Sequence, residues 1–175
     1  MDDVCANGGQ FPIERVMFCD DGLFRKEIVQ IAQDWIGTPY QHQASAIGHG
    51  CDCLGLIRGI WREAVGPEPA KRPTYSPDWF QRDGEDLLLN TLESNFQQVR
   101  IDTSQGGDVV AFRLRKNGLV KHVGITVGHI NGLAQMIHSY SNNGVVLSPI
   151  GNSWRRRCAG QFQFPRRVEE WQRFY

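Results

Sequence analysis

Apolar positions fall into two periods along this chain. Phe24, Ile28, Ile31 and Trp35 recur at helical spacing, as do Leu54, Ile57, Trp61, Ala64 and Val65. Asp20 or Asp21 is placed to cap the first helix, which Gly37 and Pro39 end; Gly66 and Pro67 end the second. Leu88, Leu89, Leu92 and Phe96 mark a third, with Ser76-Pro77 as cap and first position and Gly84 weakening its first half. Between the last two helices, Pro67, Pro69, Pro73 and Pro77 predict a loop over residues 66–77.

From residue 99 the period shortens. The runs Asp108–Leu114, His122–Val127, Ala134–Ser139, Val145–Leu147 and Gln161–Phe164 read as strands. Asn117-Gly118, Asn131-Gly132 and Asn143-Gly144 are turn signals between them. Helices first and antiparallel strands afterwards predict an α+β fold, with N-terminal helices packed on an antiparallel sheet. The aperiodic residues 1–22 read as an N-terminal arm, residues 23–165 as one domain and residues 166–175 as a tail.

Composition narrows the function classes. Of 175 residues, 41% are hydrophobic and 22% charged, the profile of a soluble globular protein. The formal net charge of zero gives no case for nucleic acid or an anionic membrane as partner. No apolar run approaches the ~20 residues of a membrane span, so no membrane insertion is expected. Asp2 and Asp3 open a terminus unlike a secretory signal, which predicts synthesis in the cytoplasm without a signal peptide. Charge is nevertheless uneven: five acids against Arg15 in residues 1–22, and six arginines against Glu169 and Glu170 in residues 151–175. Two solvated ends account for this, or docking surfaces in an assembly. Five irregularly spaced cysteines fit a reduced protein with one special thiol better than a disulfide framework.

Cys53 is the candidate for that thiol. It stands where a loop turns into the second helix, and unpaired backbone N–H groups with the helix dipole favour negative charge there. A thiol of ordinary value ~8.5 is expected to be lowered at such a site. A cysteine hydrolase also needs a histidine to pair with the thiol and a polar group to orient it. His122 and His138 lie on neighbouring strands joined by a tight connection, which antiparallel pairing brings side by side. Around His122, Gly124 and Thr126 make a small, polar face open to a cleft, while Val123, Ile125 and Val127 point into the core. Cys51 lies further outside the helix and reads as packing. His42, His49, Cys51 and Cys53 lack the spacing of a zinc site, and no metal or organic cofactor is expected. Trp35 and Trp61 read as core, Trp79 as lining a cleft or partner surface. Arg155-Arg156-Arg157 reads as a solvated turn or a protein contact.

These residues, in this order, resemble the NlpC/P60 family of papain-like cysteine peptidases. The nucleophile motif is matched by Asp52-Cys53-Leu54-Gly55-Leu56. The strand motif is matched by Gly107-Asp108-Val109-Val110-Ala111-Phe112 and His122-Val123-Gly124-Ile125, and the closing histidine by Met136-Ile137-His138-Ser139. Gly37-Thr38-Pro39-Tyr40 looks like the segment whose tyrosine reaches the oxyanion position; read alone, Tyr40 is equally a core aromatic. The resemblance spans residues 24–140. The segments Tyr40-Gln41-His42-Gln43 and Cys51 to Gly59 look most like the phage-type branch, encoded among tail genes and taken to open peptidoglycan during DNA entry.

The resemblance implies cleavage of peptidoglycan stem peptides, typically between γ-D-glutamate and meso-diaminopimelate. Cys53 would attack the amide carbonyl, His122 act as base and then acid, and His138 orient His122. Tyr40 and the Cys53 N–H would steady the oxyanion. It also implies tail or baseplate proteins as partners and a place in the tail of a phage or phage-like particle. Leu54 departs from the family's small hydroxyl residue, and no wall-binding repeat is present, so targeting would come from the particle. Two rivals stand beside this reading: a structural tail subunit with an idle site, and acyl transfer or amidase action on the same fold.

Overall fold

The computed structural model describes residues 21–69, 86–103 and 105–166. The arm up to Asp20, with Cys5 and Cys19, lies outside the described residues, as do Pro73, Ser76-Pro77, Trp79, Gly84 and residues 167–175 of the tail.

Helix α1 (Asp21–Asp34) buries Ile28, Ile31 and Ala32, with Trp35 buried just beyond its end. Helix α2 (Cys53–Ala64) is capped by Asp52, whose carboxylate accepts the Gly55 N–H at 2.7 Å. It buries Leu54, Leu56, Ile57, Ile60, Trp61 and Ala64. The N–H groups of Val65 and Gly66 both return to the Trp61 carbonyl, and Gly66, at φ +133°, takes the chain out of the helix. The two helices touch closely because Gly59 has no side chain: a Cβ there would overlap the Trp35 indole. Helix α3 (Leu87–Asn95) has Asp86 as its cap. Phe96 falls just past its end, where it packs edge-on against Trp61 (5.2 Å) and Phe164 (5.0 Å).

The loop before α2 contains a two-stranded ribbon, β1 (Ser45–Ala46) and β2 (Gly50–Cys51). The main sheet comprises β3 (Gln97–Val99), β4 (Gly106–Arg113), β5 (Val120–Ile130), β6 (Leu133–Tyr140), β7 (Gly144–Pro149) and β8 (Cys158–Gln163). Its order is β3-β8-β4-β5-β6-β7, antiparallel throughout. A short helix, α4 (Asn152–Arg155), joins β7 to β8. The fold is thus α+β, with the predicted strands extended at most ends. Two-residue turns bring β5 to β6, where Asn131 and Gly132 take φ of +52° and +77°.

Each sheet face carries its own apolar layer. Val109, Ala111, Val123, Ile125, Ile137 and Val145 join α1 and α2 in the larger core. Val110, Phe112, Ala134, Met136 and Ile150 form a second cluster, onto which Trp154 of α4 packs. Register puts Phe112 opposite His122 and Val110 opposite Gly124, so the His122 side faces this second cluster. The small polar face is therefore not an open cleft as expected. The second layer covers it, leaving His122 6% and Thr126 0% exposed.

Buried polar groups bind α1 to the sheet. Asp108, 1% exposed, pairs with Arg25 of α1 and accepts from Gln161 Nε2 at 2.6 Å. Its N–H donates to Thr126 Oγ1. This aspartate of the strand motif is a structural tie, since a buried carboxylate requires such partners.

Candidate functional site

Two imidazoles form the centre of the site. His122 on β5 and His138 on β6 are buried, and His122 Nε2 lies 2.7 Å from His138 Nδ1. The rings stand nearly perpendicular, with centroids 4.9 Å apart. Gly124 makes room for this: a Cβ there would meet the His138 Cβ at 3.1 Å and the Ile137 carbonyl at 3.2 Å. Because Nε2 of His122 is used in the pair, its Nδ1 is the nitrogen left for a reacting group. Nε2 of His138 is buried without a hydrogen-bond partner among the described residues.

Aromatic rings enclose the pair. Trp154 lies 5.3 Å from His122 and 5.8 Å from His138. Tyr140 is 6.2 and 5.9 Å from them, and Phe112 is 6.4 Å from His122. Both rings are buried, and burial disfavours the charged imidazolium, which pushes both downward. His122, which also feels His138, falls to about 3, and His138 to about 4.

Cys53 is the first residue of α2. The pairing of β5 with β6 reaches Ile125↔Ile137, and beyond it the Val123 N–H is near enough to the Cys53 sulfur to favour its thiolate. The nucleophile candidate therefore touches the residue next to His122. The backbone N–H groups of Leu54 and Cys53 also favour its thiolate. Burial outweighs them. With the charge of Asp52 acting the same way, it pushes the thiol up to about 12, against the lowering expected from the helix terminus alone. At rest the site holds a thiol and neutral imidazoles.

Asp52 is buried by design of the turn. Beyond capping α2 it accepts the Gln43 N–H at 2.7 Å, and His42 Nδ1 lies 3.6 Å from its carboxylate. Tyr40 is 37% exposed, so it is not a core aromatic. It bridges to Cys51 through the backbone, and its phenol is raised first by burial, then by Asp52 and Cys53. Cys51 is fully buried, its thiol pushed up to about 11 by burial, and its carbonyl accepts from Ser139 Oγ at 2.8 Å. It packs beside the site as expected. Trp35 and Trp61 are core residues, also as expected. Of the arginine run, Arg155 Nε donates to the Ile150 carbonyl and the Arg157 carbonyl accepts from Arg113 N–H, which makes part of it a structured turn.

Phe112, Tyr140 and Trp154 were not candidates from sequence. Phe112 and Tyr140 sit at strand positions adjoining the histidines, so register could have found them; Trp154 has no sequence signal. Among the described residues, no three His, Cys, Asp or Glu side chains group closely enough to hold a metal ion. No helix there is long and apolar enough to cross a membrane.

The profile of the NlpC/P60 family matches residues 37–162. No curated protein matches the chain. Among solved structures, the fold is similar to an NlpC/P60 family protein from Bacillus cereus ATCC 10987, at TM-score 0.54 and 20% identity, covering 80% of this chain and 40% of that one. It is likewise similar to a lipoprotein-like NLP/P60 protein from Staphylococcus aureus subsp. aureus Mu50, at TM-score 0.53 and 19% identity, covering 82% and 42%. The chain thus spans less than half the length of either relative.

Proposed function

The chain belongs to the NlpC/P60 family, and from that premise we propose that it is a cysteine endopeptidase hydrolysing peptidoglycan stem peptides. The family's members are cysteine peptidases and amidases. The observation that carries the reading is the buried 2.7 Å contact of His122 Nε2 with His138 Nδ1, beside the helix start that bears Cys53.

The chemistry follows from which nitrogen is free. His122 Nε2–H donates to His138 Nδ1, and His122 Nδ1 takes the Cys53 proton as the sulfur attacks the amide carbonyl. Tyr40 and the Cys53 N–H stabilise the oxyanion. The tetrahedral adduct collapses, and Nδ1 returns the proton to the departing amine. Water, deprotonated by Nδ1, then attacks the thioester, and the thiol is regenerated. The resting thiol and imidazole are both neutral, so proton transfer accompanies attack and does not precede it.

The bond cut is γ-D-glutamyl–meso-diaminopimelate, the usual one for the family. The likeness of residues 40–43 and 51–59 to the phage-type branch supports a tail or baseplate component that opens the wall for DNA entry. Digestion of diaminopimelate-type peptidoglycan by wild type and Cys53→Ala, read by mass spectrometry, tests the reading. Fragments ending at that bond are expected from wild type alone. Identical products from both proteins would refute the cysteine mechanism, and absence of products from both would refute the activity of this chain.

A further inference from the structure

Among the aromatic rings around the histidine pair, one has a particular relation to His122. Trp154 lies within the ~6 Å over which a ring face attracts a cation, with its plane only 31° from that of the imidazole. Phe112, at 6.4 Å, lies beyond that range, and Tyr140, at 6.2 Å and 84°, meets the imidazole edge to face. Toward His138 the indole is nearly perpendicular, at 82°. Trp154 is itself held in place by Phe112, 4.7 Å away, and by the turn that carries the Arg157 N–H to its carbonyl.

We propose that Trp154 is a positioning residue for the reaction, whose indole face stabilises the His122 imidazolium formed when the Cys53 proton moves to Nδ1. The inference rests on the assignment of Cys53 and His122 given above. Burial makes the imidazolium costly, since it takes the charge out of water. An indole at 5.3 Å, tilted by 31°, supplies part of the lost stabilisation, while its bulk packs against both rings. The titratable groups packed against His122 are His138 and Tyr140 on β6, while Asp52 and Tyr40 act on Cys53. None of them stacks on His122.

The test is the rate at which iodoacetamide alkylates Cys53 across pH, followed by mass spectrometry of the Cys53 peptide. In this reaction the sulfur displaces iodide and its proton passes to His122 and then to solvent. Trp154→Leu keeps apolar cover and removes the ring; Trp154→Phe keeps a ring of smaller size. The leucine variant should react roughly tenfold more slowly at neutral pH, and the phenylalanine variant within about threefold of wild type. Equal slowing in both would reduce Trp154 to packing, and no slowing in the leucine variant would remove it from the mechanism. If Trp154→Leu does not fold, Trp154→Met takes its place with the same expected outcomes. Peptidoglycan digestion run in parallel separates the two claims. A wild type that releases no fragments, but keeps this order of alkylation rates, would refute the peptidase reading and uphold the role of Trp154.

Discussion

Gly124 on β5 lies so close to His138 on β6 that a methyl group on the glycine would come within 3.1 Å of the histidine Cβ. The same methyl would press on Met136 Sδ at 3.3 Å and the Ile137 carbonyl at 3.2 Å. Gly124→Ala should therefore shift His138 relative to His122. The expected cost is about 1–3 kcal/mol of stability, as for other overpacked sites. Peptidase kcat/KM should fall roughly ten- to a hundredfold, because a displacement of this size misplaces the base. Thermal melting and steady-state kinetics on the same protein check both numbers.

His138 fixes which nitrogen of His122 carries the proton. Removing it in His138→Ala leaves His122 Nε2 buried without a partner, at about 1–3 kcal/mol. It should lower kcat/KM roughly a hundredfold with little change in KM, since the loss falls on orientation. His138→Gln keeps a polar partner and should recover part of that loss. An alanine variant with wild-type kcat would remove His138 from the site.

The carboxylate of Asp52 has two effects of opposite value: it caps α2 and it raises the Cys53 thiol. Asp52→Asn separates them, because asparagine caps a helix about as well and carries no charge. The variant should stay folded within about 1 kcal/mol of wild type. Its Cys53 should become reactive toward iodoacetamide at lower pH than the wild-type residue. An upward shift would contradict the assignment of Asp52 as the raising charge.

Stability should depend on pH through the histidine pair. Both are depressed in the folded protein, His122 to about 3 and His138 to about 4, from an ordinary 6.5. Below pH 6.5 the unfolded chain therefore takes up protons that the folded protein refuses. Their contribution is full above that pH and declines as pH falls toward the folded values, on the order of 1 kcal/mol per pH unit for each. Melting temperature should be level from neutral to mildly alkaline pH and drop below 6.5. In His138→Gln the acid slope should be shallower.

Much of this arrangement is legible in the sequence, and its limits have physical causes. Helical spacing of Ile28, Ile31 and Trp35, and of Leu54, Ile57 and Trp61, finds buried stripes because each helix has only one apolar face to hide. Alternation around His122 separates Val123 and Ile125 from Gly124 and Thr126, and the sheet does put them on opposite faces. What alternation cannot reveal is what covers the second face. That cover comes from Ile150 and Trp154, brought back by a connection with no periodic signal. The thiol value is misjudged for a related reason. A helix terminus is a local feature visible in sequence, whereas the burial that outweighs it is created by β5 and β6. The cap of α3 is Asp86, a residue that no apolar period announces.

The bond from Ser139 to the Cys51 carbonyl joins residues 88 positions apart in the chain. Gly37 and Thr38 are fastened in the same way to Val145 on β7. The segment leading to α2 is thus held at Gly37, Thr38 and Cys51 by strands synthesised much later. A ribosome that has released only the first two helices has made a cysteine with no partner. Its histidine arrives only with β5 and β6, and the same closure that brings the base to the thiol also takes the thiol out of water.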